Sequence, residues 1–189
     1  MLEVNETWRR VERWLAENWP EGLDTLLPPA TDDEIKSLED AIGLKLPEDF
    51  VASLRVHNGQ KSMSGALFPS GELLSAAEIE DQWRVWKELL DSGDFDGCQS
   101  EPLSPAIRPD WWSPSWIPVT HDGWGNHDCL DLNPAASGTR GQIITMWHDS
   151  PDRQALAQSF AEWFSQYAGA LYSGAYVYSA DDNRIVDRE

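Results

Sequence analysis

His121, Asp122, His127 and Asp128 fall within eight positions and are residue types that hold zinc or a similar ion, since imidazole nitrogen and carboxylate oxygen suit such ions. The step from His121 to His127 fits none of the usual short ligand pairs, and Cys129 would alternate to the other strand face from Asp128. These are therefore read as polar loop residues, with no metal and no cofactor expected. His148-Asp149-Ser150 supplies the residue types of a nucleophilic triad, but sequence neighbours rarely form one in space. A strand ending at His148, with a turn before Pro151, is the plainer account. Gly123 and Gly125 lack the strand–loop–helix setting of a phosphate cradle and read as hairpin-turn glycines. The sequence thus assigns no catalytic residue, and the chain is expected not to be an enzyme.

Recognition chemistry is better represented. Asp122, Asp128 and Asp131 can form an acidic edge. Asp131 alternates with Leu130 and Leu132, so it should face away from them, and a solvated sheet face is the plain alternative. Trp111, Trp112 and Trp124 fall in expected loops, where an indole is a natural interface anchor, or else folds back onto the core. The candidate partner-binding set is Asp122, Trp124, Asn126 and Asp128, with Trp111 and Trp112 nearby.

Loops of this kind need a rigid frame. Trp116-Ile117-Pro118-Val119, Cys129-Leu130-Asp131-Leu132 and Gln142-Ile143-Ile144-Thr145-Met146 are short apolar segments separated by glycine-bearing turns, and they read as successive antiparallel strands. Helices precede them. Val4, Trp8, Val11 and Leu15 share one helical face over residues 4–18. Thr31/Glu34, Ser75/Glu78 and Ser159/Glu162 have capping-box spacing ahead of apolar stripes, with Gly43 as a left-handed stop. Pro47 is expected at the first position of a further helix, ending at Asn58-Gly59. Residues 92–115 read as a long loop, and 174–189 as a terminal hairpin. Helices, a strand meander, then a helix describe an α+β fold with helices packed on an antiparallel sheet.

Composition narrows the function. Acids outnumber bases 33 to 14, a formal net charge of −19, which disfavours direct contact with nucleic-acid phosphates or an anionic membrane. The same charge favours solubility and attraction to a basic partner. Cys98 and Cys129 have no paired spacing and read as free thiols. No stretch approaches the roughly 18 apolar residues of a membrane span, and the first residues carry neither a basic region nor an apolar run. A cytoplasmic location is the expectation. Most of the 11 tryptophans should fill the core as large apolar bodies.

The order of segments resembles a known family. Thr31-Asp32-Asp33-Glu34-Ile35, Leu38-Glu39, Gly43 to Phe50 and His57-Asn58-Gly59 are similar to the front half of the SUKH superfamily, which includes the fungal Smi/Knr cell-wall regulators. Trp116 to Val119, Asp122-Gly123, Gly125-Asn126, Cys129 to Pro134, Gly141 to Ile144, His148-Asp149 and Ser159 to Trp163 are similar to its back half. The likeness covers most of residues 7–170. It implies an α+β fold with a central, mostly antiparallel sheet flanked by helices, as one domain over residues 1–173 with 174–189 packed on it. It also implies a non-catalytic protein-binding role, since bacterial members include toxin-neutralising immunity proteins and fungal members regulate glucan synthesis. The first expectation is an immunity protein, monomeric or a weak dimer, whose acidic surface meets a basic toxin domain such as a nuclease. The alternatives are an interaction scaffold for cell-wall synthesis and, prompted by the tryptophans, a glycan-binding module.

Overall fold

The computed structural model describes residues 3–188. Helix α1 (Val4–Asn18) buries the stripe Val4, Trp8, Val11 and Leu15. The Trp8 indole N–H donates to Ser53 Oγ at 2.9 Å, which lets so large a side chain be buried with its donor satisfied. The short α2 (Pro20–Leu23) follows. Helix α3 (Asp32–Ile42) starts from a complete Thr31/Glu34 capping box and stops at Gly43 in the left-handed region, φ 70°. Helix α4 spans Glu48–Leu54. Pro47 is its N-cap rather than its first residue, and the helix ends before Asn58-Gly59: Val56 and His57 turn back onto the Ser53 carbonyl instead.

Asn58 and Gly59 have another use. The Asn58 side-chain carbonyl accepts from Ala76 N at the start of α5 (Ala76–Ser92), beside the Ser75/Glu78 capping box. Gly59 has φ 74°, and a Cβ there would collide with the Leu74–Ser75 peptide. Between them lie Gln60, whose buried amide bonds Leu67, Leu73 and Gly65, and the two-residue strand β1 (Glu72–Leu73).

The expected meander is present. Strands β3 (Trp116–Pro118), β5 (His127–Asp131), β6 (Gln142–Met146) and β8 (Ala155–Ala157) form an antiparallel sheet in that order. Strand β4 (Thr120–His121) leaves this sheet to pair with β1. The loop over 92–115 contains β2 (Glu101–Pro102), which pairs in parallel with β7 (Asp152–Arg153). Helix α6 (Phe160–Ser173) follows β8, capped by Ser159; Glu162 bonds Gln158 N rather than Ser159 N, so this third box is half formed. Strands β9 (Tyr176–Ser179) and β10 (Arg184–Asp187) make the terminal hairpin, anchored by Tyr178 stacked on Trp19 at 4.8 Å and by Tyr176 against Tyr167.

The sheet is covered on both faces, and this corrects the expectation of one solvated face. Every residue of β5 is buried. One face meets α6 and the other meets α5 with the 92–115 loop. On the latter side Trp86 of α5 reaches His127, Trp83 donates to the Pro114 carbonyl, and Trp112 packs on both indoles. Asp131 therefore has no solvent. Its carboxylate accepts from Gln142 Nε2 at 3.0 Å and from Asn133 N at 3.1 Å, which makes it an internal tie rather than part of an acidic edge.

A candidate binding cleft beside strand β5

Alternation along β5 sends its acids and imidazole to different places. His127 points toward α5. Its Nδ1 lies 2.7 Å from the Thr120 carbonyl, so that nitrogen carries the proton, and Nε2 accepts from the Trp86 indole at 3.2 Å. Burial lowers its pKa to about 4, so the ring is neutral near pH 7. Both nitrogens are committed, which leaves His127 nothing to offer a metal, although His121 stacks on it at 5.1 Å. His148 is exposed and bonds Asn126 through Nδ1, with the nearest Asp149 oxygen 4.0 Å away.

Asp128 points the other way, toward α6. It is 6% exposed, and burial raises its pKa to about 6, against hydrogen bonding from Ser70 and the Trp163 indole. Its strand partner is Thr145. Opposite residues of an antiparallel pair share a face, so Asp128 lines up with Thr145, and Asn126 and Trp147, one residue beyond the paired ends, border the same cleft. Together with Asp122, Trp124, Trp163, Tyr176 and Arg184 they line a cleft of about 600 Å³. Asp128 and Trp163 form its floor. Trp124, 81% exposed, and Trp147, 50% exposed, stand at its rim.

The rim is fixed by hydrogen bonds. Asp122 Oδ1 accepts from Trp124 N at 2.8 Å and Asn126 N at 3.0 Å, and Oδ2 accepts from Asn126 Nδ2 at 2.7 Å. Burial would raise the Asp122 pKa, but these donors outweigh it and hold the carboxyl below its usual value. Asn126 Oδ1 then accepts from His148 N at 3.0 Å. The β4–β5 loop that carries Trp124 is thereby tied to the segment after β6 that carries Trp147.

Four candidates from the sequence, Asp122, Trp124, Asn126 and Asp128, thus meet at one cleft. Trp111 and Trp112 do not join them. Trp112 is a core side chain, and Trp111 is half-buried beside the buried Arg153, whose guanidinium donates to the Trp111 carbonyl and lies 5.5 Å from its ring. Sequence reasoning missed Trp147, Trp163, Tyr176 and Arg184. Trp147 was within reach of it, since pairing Asp128 with Thr145 puts Trp147 on the cleft side. Tyr176 and Arg184 come from the terminal hairpin, and no local pattern links them to β5.

Residues 29–166 match the SMI1 / KNR4 family (SUKH-1). The chain belongs to this family. Among curated relatives of this SMI1 / KNR4 domain, the cell wall biosynthesis/cell cycle regulator smi1 of Schizosaccharomyces pombe is 31% identical over 96% of the chain and 39% of its own length. A glucan synthesis regulatory protein of Neurospora crassa is 28% identical, over 98% of the chain and 42% of that protein. The cell wall assembly regulator SMI1 of Saccharomyces cerevisiae is 27% identical, over 95% and 43%. The chain therefore spans about two fifths of the length of these regulators. Among the described residues, no helix is long and apolar enough to cross a membrane.

Proposed function

We propose that this chain is a non-catalytic protein-binding domain of a regulatory protein, and that it engages its partner at the cleft beside β5. The observation that carries the reading is where the exposed indoles lie. Eight of the 11 tryptophans are buried and Trp111 is half-buried; the two that solvent reaches freely, Trp124 and Trp147, both border this cleft. Exposed indoles around a concave, partly apolar surface are the usual anchors of protein contacts. Relatives named as regulators of cell-wall and glucan synthesis support a regulatory scaffold over an enzyme. The net charge of −19 also suits a basic toxin domain, which is the second reading. Long-range attraction would speed association with either kind of basic partner, and the rim indoles would set the dissociation rate.

Capture of partners from the native host, with the unaltered chain and with a Trp124→Ala/Trp147→Ala variant, tests this. Both side chains are exposed, so the variant should fold. Loss of the captured partner in the variant is expected. Retention of every partner would mean that binding occurs elsewhere. A synthase or kinase complex among the partners identifies a regulator, and a secreted multidomain toxin identifies an immunity protein.

A further inference from the structure

The cleft contains a charge without a counter-ion. Asp128 is buried at the floor, and no lysine or arginine among the described residues pairs with its carboxylate. Arg184 reaches the cleft wall, yet its guanidinium donates to the Pro69 carbonyl. The other described groups near the floor are neutral donors, the Ser70 hydroxyl and the Trp163 indole, and the Tyr176 phenol, whose pKa burial and the acids Asp187 and Asp128 push up. A buried carboxylate with no cation is expensive to keep, and the neutral donors Ser70 and Trp163 offset that cost only in part. Aromatic side chains line the same cleft: Trp124 and Trp147 at the rim, Trp163 and Tyr176 inside. Indole and phenol rings beside a carboxylate are the surroundings in which an ammonium or guanidinium group is held, by ring quadrupole and ion pair together.

Building on the protein-binding reading above, we propose that the cleft seats one lysine or arginine side chain from an extended segment of the partner, with the Asp128 carboxylate as its counter-ion and the indoles of Trp124 and Trp147 against its methylenes. Charge complementarity selects this occupant over a neutral sugar: a chain of net charge −19 draws basic segments, and a cation offsets the cost of ionising Asp128, which a hydroxyl does only in part.

The test uses the whole chain and four probes: a capped Gly-Gly-Arg-Gly-Gly peptide, its lysine counterpart, its citrulline counterpart, and a β-glucan trisaccharide. Indole N–H resonances, assigned by single Trp→Phe variants, report the site. The arginine or lysine peptide should shift Trp124, Trp147 and Trp163, and the citrulline peptide should bind at least tenfold more weakly. Asp128→Asn should weaken the cationic peptides at least tenfold and bring them level with citrulline. Asp122→Asn, which keeps an acceptor in the rim loop, should weaken them less. Equal binding of the citrulline and arginine peptides, unchanged affinity in Asp128→Asn, or shifts produced by the trisaccharide but by neither cationic peptide would each overturn the proposal. These outcomes are separate from the capture experiment: a partner lost on removing both rim indoles, with no preference for a cation, would leave the cleft a protein-binding site and remove only its assigned occupant.

Discussion

Replacing Asp128 with asparagine should stabilise the protein, and by an amount that depends on pH. In the folded chain the carboxyl binds its proton more tightly than in the unfolded chain, because burial raises its pKa from 3.8 to about 6. Below the unfolded value both states hold the proton and the two proteins should differ little. As pH rises from about 4 through 6, the unfolded state releases the proton first, and stability is lost. Above about pH 7 that loss is complete. A shift of roughly 2 units corresponds to about 3 kcal/mol, at 1.36 kcal/mol per unit. The amide introduced by Asp128→Asn keeps an acceptor for the Trp163 indole, so most of this difference should be recovered. Urea unfolding of both proteins from pH 4 to 8 measures it. The variant's advantage should grow from near zero to on the order of 2–3 kcal/mol, with a rise in Tm of about 5–10 °C at pH 8. His127 contributes the opposite trend in both proteins, since its depressed pKa costs stability as pH falls from 6.5 toward about 4; taking the difference removes it. An advantage that is the same at every pH, or a variant less stable than the parent at pH 8, would refute the reasoning.

Asp122→Ala removes three acceptor contacts from the rim loop and should cost about 1–3 kcal/mol, read by thermal unfolding, while broadening the Trp124 indole resonance. Gly59→Ala forces a side chain into the left-handed region and against the Leu74–Ser75 peptide, and should cost at least about 2 kcal/mol in urea unfolding, whereas Gly43→Ala, with open space around its Cβ, should cost less. Cys98 is exposed and Cys129 buried, so a thiol reagent should titrate one cysteine in the native protein and two after denaturation.

Local signals in this sequence are legible because their physics is local. The boxes at Thr31/Glu34 and Ser75/Glu78 close between a hydroxyl and a carboxylate three residues apart, whatever the rest of the chain does. The stripes of α1 and α6 follow from period, and the run of strands β3, β5 and β6 from short apolar segments between glycine-bearing turns. Burial of the sheet's second face cannot be read this way. It depends on the 92–115 segment, which has almost no periodic structure and folds over β5 through Trp112, the Pro114 carbonyl and a two-residue parallel pairing. Asp131 defeats the sequence reading for that reason: a period of 2 says which face it takes, not what covers that face. The loop from Asp122 to Asp128 is visible because its residues are neighbours in sequence. The other wall of the cleft comes from α6 and the terminal hairpin, so only the folded chain shows it.

The Asn126 side chain has a consequence for binding kinetics. By joining the Trp124 loop to the segment that carries Trp147, it delivers both indoles already assembled. A partner docking at the proposed site would meet a finished mould and spend little on ordering it. Encounter should then lead to the bound complex in one step, and stopped-flow indole fluorescence should show an observed rate that climbs in proportion to partner concentration instead of levelling off at the speed of a loop rearrangement.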